Sequence, residues 1–364
     1  MLRARGMSDI SADLVEQVKE AVRLGRPLQI AGGGSKSHLL GRDIRAKNYP
    51  HLSLNEHRGI VSYEPSELVL TARAGTTIAE IESALAEHGQ VLSFEPPQFE
   101  GATLGGSLAT NICGPARPWR SSFRDMVLGV KLINGRGEQL RFGGQVMKNV
   151  AGYDLARLQA GALGSLGAIT EVSVKVLPRL EVSQTLTVDI DQQEAIKLMN
   201  SVAGTSVPLT GAAWLDGTVY LRLSGAASAV EAACSDLALP SGQVLDNDRS
   251  FWDSLRNQSH EFFLADQPLW RFSVKPTADI FIEGSPSLID WAGAQRWFRG
   301  AFVLEECEVL ARKAGGHVCL YRGGVRNGEV RQSLHTAQQN IQKQVKLAID
   351  PGGVFNPGIL YSWM

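Results

Sequence analysis

The sequence has 364 residues, of which 44% are hydrophobic and 20% charged, and these values exclude a disordered or fibrous chain. The 36 basic and 37 acidic side chains give a net charge of -1, and no cluster of Lys and Arg favours nucleic acid as a partner. The length is sufficient for two compact domains, each with its own core.

Neither membrane segments nor metal-binding cysteines are indicated. No apolar stretch approaches the roughly 18 to 20 residues that cross a bilayer, and residues 1–20 lack the apolar core of a signal peptide, so we expect a cytoplasmic protein. The four cysteines, Cys113, Cys234, Cys307 and Cys319, have no Cys-x-x-Cys spacing, which argues against disulfides, an iron–sulfur cluster and structural zinc. No metal is therefore expected. Met7 is an alternative start.

The first half of the chain mixes helical and strand patterns. Apolar residues on one helical face predict a helix over residues 11–24 that ends at Gly25. Thr77 and Glu80 form the signature of a capping box at the start of a second helix, which ends by Gly89. Apolar runs predict strands at residues 27–31, 68–74 and 169–176, and a hairpin of residues 130–133 and 139–142 around an Asn-Gly turn.

A change in composition near Pro178 marks the predicted domain boundary. Six of the seven tryptophans lie beyond residue 200, and glycine clusters become rarer there. The patterns in this second part predict strands at residues 182–190 and 219–223, helices at 229–237, 291–298 and 335–349, and a turn segment at 350–358.

Three glycine-rich loops are the candidate ligand-binding segments. Residues 31–36 follow a strand, and glycines let backbone N–H groups converge on a phosphate. This loop fits neither the Walker nor the Rossmann pattern, since Ser37 occupies the third glycine position, and taken alone a plain turn is equally compatible. Residues 101–111 are small and uncharged, and residues 152–170 are dense in glycine, which suits backbone lying against a planar ring, although small residues also let helices pack closely.

The order of these loops, followed by Asn356-Pro357-Gly358, resembles the FAD-binding domain of the vanillyl-alcohol oxidase and p-cresol methylhydroxylase (PCMH-type) flavoproteins. The resemblance implies an α+β fold, in which a PCMH-type FAD-binding domain of two α/β subdomains carries an α+β cap domain. We expect the FAD-binding domain at residues 1–180 and a cap for substrate or partner binding at residues 181–330. Residues 331–364 are expected to pack back on the FAD-binding domain.

The same resemblance implies how FAD is held. The first loop would hold the pyrophosphate, the second would lie along the pyrophosphate and the isoalloxazine, the third would meet the adenosine end, and Asn356 would lie near the flavin ring. The candidate cofactor-binding residues are Ala31, Gly32, Gly33, Gly34, Ser35, Lys36, Pro96, Pro97, Thr103, Leu104, Gly105, Gly106, Ala109, Thr110, Asn111, Tyr153, Gly167, Ile169 and Asn356. Some family members attach FAD through a His in the first loop, where this sequence has Gly34 and Ser35, so noncovalent FAD is expected.

Residues 114–119, 142–155 and 314–317 resemble more closely the flavin-domain subunits of bacterial glycolate oxidases. In these multi-subunit dehydrogenases two related flavin-domain subunits work beside an iron–sulfur subunit. The resemblance implies an FAD-dependent oxidoreductase acting on the CH–OH group of a 2-hydroxy acid, which oxidises glycolate to glyoxylate and passes the electrons to a membrane acceptor. The chain would meet the inner face of the membrane only through its complex.

The catalytic residues stay unknown, with His317, Arg117 and Lys148 as weak candidates. Related dehydrogenases carry metal-binding His motifs that this sequence lacks, and His317, their nearest remnant, is better read as a strand histidine. Arg117 suits a carboxylate, an interface or a pair with Asp125, and the interface is favoured. Lys148 and Tyr153 suit the flavin edge and a structural role equally.

Two other functions stay open. The missing metal motifs also fit an assembly or electron-relay subunit that binds FAD without oxidising substrate. A stand-alone flavin oxidase of a sugar or alditol is the third hypothesis. The resemblance leaves open which of the two flavin-domain subunits carries out the chemistry.

Overall fold

The computed structural model describes residues 8–144, 154–237 and 242–364. The helices in these ranges are α1 Ser11–Leu24, α2 Ile78–Ala86, α3 Leu104–Thr110, α4 Arg117–Arg120, α5 Phe123–Met126, α6 Leu155–Leu158, α7 Gln192–Ala203, α8 Ala227–Leu237, α9 Asp248–Arg256, α10 Glu261–Leu264, α11 Leu304–Lys313 and α12 Thr336–Ile349. The strands are β1 Gln29–Ala31, β2 His51–Ser53, β3 Ile60–Glu64, β4 Val69–Arg73, β5 Gln90–Val91, β6 Val127–Ile133, β7 Gln139–Gly143, β8 Ala168–Lys175, β9 Leu177–Pro178, β10 Val182–Asp189, β11 Leu209–Leu215, β12 Thr218–Gly225, β13 Gln243–Val244, β14 Leu269–Ser273, β15 Ser287–Asp290, β16 Gln295–Arg299 and β17 His317–Arg322.

Two antiparallel sheets dominate the structure. The first has five strands in the order β3-β4-β8-β6-β7, and the second has eight in the order β13-β10-β12-β11-β15-β16-β14-β17. The chain passes from the first sheet to the second between β9 and β10. Helices pack on both sheets without the regular strand–helix alternation of a doubly wound fold. The predicted α+β class is confirmed.

Local sequence signals account for several boundaries. Gly25 ends α1 in the left-handed conformation, with φ of 59°, which glycine adopts without steric cost. Thr77 and Glu80 make both hydrogen bonds of the predicted capping box at the start of α2. The predicted hairpin is β6 paired with β7, and Asn134 Oδ1 accepts hydrogen bonds from two N–H groups of its turn. These three predictions are therefore correct in detail.

The predicted helix at residues 291–298 is wrong. Only Trp291–Gly293 form a 3-10 turn, in which Ala292 has φ of 52°, and the following residues form β16. Gly293, with φ of 102°, breaks any helical continuation. Since β16 pairs with both β14 and β15, the apolar residues that suggested a helix are those of a strand buried on two faces.

The second glycine-rich segment contains a helix where the sequence indicated a loop. Thr103 caps α3, and its side chain accepts a hydrogen bond from the N–H of Gly106. This short helix has a buried side that packs against β4 and β8. The small residues therefore serve close packing of a helix, as well as the cleft described below.

A small parallel pair of strands, β1 with β2, follows α1 and is extended by a bridge between Leu28 and Phe355. The C-terminal segment is tied down here by Lys346, whose Nζ donates hydrogen bonds to the carbonyl oxygens of Ser165 and Phe355 and to Asp350 Oδ2. Residues far apart in sequence are thus fixed around the end of β1, where the first glycine loop begins.

One face of the eight-stranded sheet packs against the first part of the chain. Leu288, Trp297 and Cys319 on this face share a buried cluster with Ile112 and Leu163. The opposite face packs its own aromatic residues against α11. The face that covers the first part of the chain therefore lies next to the segment that follows α3.

Candidate functional site

A cleft lies where the three glycine-rich segments meet. It contains about 440 Å³ of space free of protein atoms, counted to its open mouth. Of the predicted cofactor-binding residues, it is lined by Gly32, Thr103, Gly105, Gly106, Ala109, Gly167, Ile169 and Asn356. The sequence did not indicate the other lining residues, which are Ile30, Leu54, Ala74, Leu163 and Gly164. Gly164 belongs to a glycine-dense stretch, but the apolar residues carry no signal that separates them from core residues.

The glycines of the first two loops let the loops touch backbone to backbone. A Cβ on Gly33 would lie 1.7 Å from the carbonyl oxygen of Gly101, and one on Gly32 would lie 2.6 Å from Thr103 Oγ1. A Cβ on Gly105 would lie 2.7 Å from the Cβ of Ala74. Since real Cβ atoms do not approach so closely, a side chain at any of these positions would push the walls of the cleft apart.

The first loop offers a run of backbone donors. Within the described ranges, no atom accepts a hydrogen bond from the N–H groups of residues 32–36. Gly32 and Ser35 are half-buried and Lys36 is buried, whereas Gly33 and Gly34 are exposed. Consecutive N–H groups without a protein acceptor are a feature of anion-binding loops. This observation fits the pyrophosphate of a dinucleotide.

Lys36 adds a positive charge to this loop. Its side chain is buried, Nζ lies 3.3 Å from Ser107 Oγ on α3, and the ring of Phe99 lies 5.8 Å away. Burial lowers the pKa of Lys36 to about 8. No Asp or Glu of the described ranges lies within ion-pair distance of this ammonium. A buried cation of this kind is stabilised by a bound anion.

Asn356 forms part of the cleft wall. Its Oδ1 accepts a hydrogen bond of 2.8 Å from the N–H of Ile30, and its Nδ2 donates one of 2.7 Å to the carbonyl oxygen of Leu163. The backbone of Asn356 has φ of 42°, a conformation that Asn tolerates better than most residues. Because both ends of its amide are engaged, Asn356 holds two cleft walls together.

Other predicted cofactor residues support the loops from outside the lining. Leu104 is fully buried in the core, and Thr110 Oγ1 donates a hydrogen bond to the carbonyl oxygen of Gly106. Asn111 ends α3 with φ of 48°, and its Oδ1 accepts from the N–H of Arg124.

The remaining predicted cofactor-binding residues of the described ranges lie in the first loop or next to α9. Ala31 ends β1, and Gly34 and Ser35 continue the first loop. Pro96 and Pro97 are buried, and the carbonyl oxygen of Pro96 accepts a hydrogen bond from Arg256 on α9. Tyr153 and the catalytic candidate Lys148 lie outside the described residues.

A second, smaller cavity lies between the segment after α3 and the eight-stranded sheet. About 360 Å³ of space free of protein atoms lies within it and at its mouth. Its lining residues are Ile112, Cys113, Gly114, Pro115, Leu255, Arg256, Gln258, Phe263, Arg271, Leu288, Asp290, Gln295 and Trp297. Ala109 lines the first cleft and Ile112 lines this cavity, so the end of α3 borders both spaces.

The second cavity is polar on the side of the sheet. Asp290 is 5% exposed, and its Oδ1 accepts from the N–H of Trp291. Burial, aided by the charge of Glu95, raises the pKa of Asp290 to about 7, against the lowering effects of the Trp291 hydrogen bond and Arg222. A carboxyl group with such a pKa changes its charge near neutrality.

Of the two described catalytic candidates, only Arg117 contacts a residue beside this cavity. Arg117 lies 4.6 Å above the ring of Trp291, which itself donates a hydrogen bond to the carbonyl oxygen of Gly114. Arg117 forms no ion pair with Asp125, whose Oδ2 instead accepts hydrogen bonds from the N–H and the hydroxyl of Ser122, the N-cap of α5. His317 begins β17 with an exposed side chain. Partial desolvation of its ring by neighbouring atoms, followed by the positive charges of Arg271 and Arg331, lowers its pKa.

Within the described ranges, no helix is long and apolar enough to cross a membrane. In the same ranges, no three His, Cys, Asp or Glu side chains lie together as a metal site would require.

Comparison with known proteins places the chain in a family. Residues 10–143 match the family described as the FAD binding domain. The chain is 42% identical to the glycolate oxidase subunit GlcE of Escherichia coli K12, over 97% of this chain and 98% of that protein. It is 30% identical to the glycolate oxidase subunit GlcD of Bacillus subtilis over 42% of this chain and 33% of that protein.

Two more distant proteins are also similar to the chain, one in sequence and one in structure. The chain is 25% identical to a D-lactate dehydrogenase of Archaeoglobus fulgidus, over 78% of this chain and 75% of that protein. A solved structure of alkyldihydroxyacetonephosphate synthase superposes with a TM-score of 0.64 at 16% identity, and covers 95% of this chain and 74% of its own. The cofactor is FAD, and the donors of the first loop fit its pyrophosphate. The chain belongs to the GlcE family of FAD-binding oxidoreductase proteins.

Proposed function

We propose that the chain is the FAD-binding subunit of a multi-subunit glycolate, or 2-hydroxy acid, dehydrogenase that forms glyoxylate. The observation that carries this proposal is the run of unpaired N–H groups at residues 32–36, beside a cleft whose far end adjoins a small polar cavity. Bound FAD supplies an acceptor for the hydride of a CH–OH group.

Residues of the first loop would hold the cofactor's phosphates. The N–H groups of residues 32–36 and the ammonium of Lys36 are donors that match a dianionic pyrophosphate. Gly105 and Gly106 present backbone without side chains to the cleft, and Asn356 keeps the opposite wall in position. We extend this role to the whole predicted cofactor-binding set, whether its members line the cleft or support it.

We propose noncovalent binding of FAD. The first loop has Gly34 and Ser35 where some flavoproteins have the attaching His, and His38 does not line the cleft. Precipitation of the protein with acid should release all the yellow colour into the supernatant. Colour that stays with the precipitate would show a covalent bond.

The partners would be a related flavin-domain subunit and an iron–sulfur subunit that passes electrons to a membrane acceptor. The names of two similar proteins, GlcE and GlcD, denote different subunits of a glycolate oxidase, which supports an assembly of this kind. A place at the inner face of the membrane would follow from the complex.

The decisive experiment is anaerobic addition of glycolate to the purified chain, alone and with its partners, while the visible flavin absorbance is followed. Bleaching of the isolated chain supports the proposal that this subunit oxidises the substrate. Bleaching that requires the related subunit assigns an electron-relay role instead. A chain that retains no flavin in either preparation contradicts the proposal, and hydrogen peroxide formed by the chain alone in air would indicate a stand-alone oxidase.

A further inference from the structure

Arg271 and Arg331, at the buried face of the eight-stranded sheet, lack acidic partners within the described ranges, as does Arg299 on β16. Arg271 on β14 makes no ion pair and donates no side-chain hydrogen bond within the described ranges, and the same holds for Arg331. Residues 1–7, 145–153 and 238–241 contain no Asp or Glu, so every side-chain carboxylate of the chain lies in the described part. The chain itself thus supplies no side-chain carboxylate for these guanidinium groups.

The strand register brings the two arginines to one region. Arg271 pairs with Cys319 on β17, and Cys319 forms a bridge with Arg331. Residues paired across strands present their side chains on the same face of a sheet. This is the face that carries Trp297, the partner of Arg271 on the other side. Arg331 therefore adds to the positive potential around Arg271.

Of the two arginines, Arg271 lines the second cavity. Its guanidinium lies 5.4 Å from the centre of the Tyr321 ring, which is a favourable position for a cation over an aromatic face. The ring does not supply a hydrogen-bond acceptor for its N–H groups. The two-pronged donor of Arg271 is thus free to bind a carboxylate from the cavity.

Gln258, which lines the same cavity, carries a buried acceptor without a partner. Gln258 lines the cavity with its side chain 7% exposed, and its Nε2 donates a hydrogen bond of 2.5 Å to the hydroxyl of Tyr321. Its Oε1 is buried and has no partner. Buried acceptors without partners are rare because they lose hydration without compensation. Both Gln258 and Arg271 contact Tyr321, which holds the acceptor and the cation in one place.

We propose that Arg271 and Gln258 form the recognition site for a small 2-hydroxy acid, in which Arg271 binds the carboxylate and Gln258 Oε1 accepts the hydrogen bond of the hydroxyl. This inference rests on the proposed function for the choice of acid. The cavity is small, which restricts the site to a ligand of few atoms. The site is made entirely by this chain.

Calorimetric titration of the FAD-loaded full chain tests the site without turnover. The flavin is photoreduced anaerobically beforehand, so that glycolate binds but is not oxidised, and acetate serves as the ligand that lacks the hydroxyl. Arg271→Met should raise the Kd for glycolate about 10- to 100-fold, the effect of losing a charged hydrogen-bonded pair. Gln258→Leu should bring the Kd for glycolate close to that for acetate.

Arg299→Met is the matched control, because Arg299 lies on the same sheet over an aromatic ring, that of Phe262, but does not line the cavity. It should leave the Kd for glycolate within about twofold of the wild type. Flavin content and thermal melting check that each variant is folded. Absence of glycolate binding to a wild-type chain that holds FAD overturns the site, as does equal weakening by Arg271→Met and Arg299→Met. If glycolate binds in this titration and yet fails to bleach the oxidised flavin in the anaerobic experiment proposed above, the site stays intact. That outcome would contradict only the catalytic part of the proposed function.

Discussion

Glu95 and Arg222 join the segment before α3 to the eight-stranded sheet. Glu95 Oε1 lies 2.8 Å from Arg222 Nη2, and the two side chains are 23% and 11% exposed. Glu95 Oε2 also accepts a hydrogen bond of 2.8 Å from the N–H of Ala116. The glutamate thus links the loop that follows α3 to a strand more than a hundred residues away.

A double-mutant cycle of Glu95→Gln and Arg222→Met should give a coupling of about 1–3 kcal/mol in the free energy of unfolding, because the pair is largely buried and hydrogen-bonded. Urea unfolding of the four proteins measures this coupling. The exposed pair of Arg249 and Asp253 is the control and should couple by less than about 0.5 kcal/mol. Equal coupling in the two pairs would contradict a special role for Glu95.

Asp290 should make stability depend on pH. Its pKa is raised from 3.8 to about 7, chiefly by burial, so the folded state keeps the proton over a range where the unfolded chain has lost it. The free energy of unfolding should therefore fall as pH rises from about 4 to about 7. Asp290→Asn lacks this dependence and should melt higher than the wild type at about pH 8 but not at about pH 5. The same difference in melting temperature between the two proteins at both pH values would exclude this effect.

Gly33→Ala should open the cofactor cleft. The new Cβ would lie 1.7 Å from the carbonyl oxygen of Gly101, so the two loops must separate. We expect a loss of about 1–3 kcal/mol in the free energy of unfolding, as overpacking usually costs, together with loss of bound flavin on gel filtration.

Gly328→Ala is the matched control for this change. A Cβ at Gly328 meets no atom within 4 Å, and its φ is not positive. It should change the unfolding free energy by less than about 0.5 kcal/mol and leave the flavin content unchanged. Retention of full flavin by Gly33→Ala would refute the close contact of the loops.

Lys36→Met should lower the affinity for FAD without lowering the free energy of unfolding. Burial lowers the pKa of Lys36 from 10.5 to about 8, so the folded state without FAD binds fewer protons than the unfolded chain between these values, and its stability rises with pH there. Since Met requires no desolvation of a charge, the variant without FAD should be at least as stable as the wild type at neutral pH. Its affinity for FAD should fall about tenfold or more, as expected when a charged hydrogen-bonding group is removed.

The pH dependence of FAD binding gives a second readout. A bound pyrophosphate favours the charged form of Lys36, so binding takes up a proton above about pH 8. Fluorescence titration should show weaker FAD binding by the wild type as pH rises through this value, and a smaller change for Lys36→Met. Lys47→Met changes an exposed lysine and should leave both the affinity and its pH dependence unaltered.

Asn356→Ala should loosen the wall that Asn356 shares with β1. It leaves the N–H of Ile30 and the carbonyl oxygen of Leu163 without partners, at a cost of about 1–3 kcal/mol each if they stay buried. Asn356→Gly loses the same hydrogen bonds but tolerates the φ of 42°. Both variants should lose flavin in dialysis, with the glycine variant the more stable in urea. Flavin retention equal to the wild type in both would show that this contact does not shape the cleft.

Sequence reasoning worked where the structure depends on local backbone chemistry. Gly25, the capping box of Thr77 and the Asn134 turn were predicted because each is decided within a few residues. It failed for residues 291–298, because β16 is a strand through its pairing with β14 and β15, which are separate segments of the chain.

The sequence by itself determined where the glycine loops lie, and with them the family resemblance. The absence of a Cβ at Gly33 or Gly105 is a property of the residue type and can be read directly from the sequence. Only the tertiary structure decided which apolar residues, such as Leu54 and Leu163, line the cleft. The sheet register also decided that Arg271 shares a cavity with Gln258, whereas nothing in the local sequence marks either residue. Such sites arise because long-range strand pairing brings together side chains whose spacing along the chain carries no pattern.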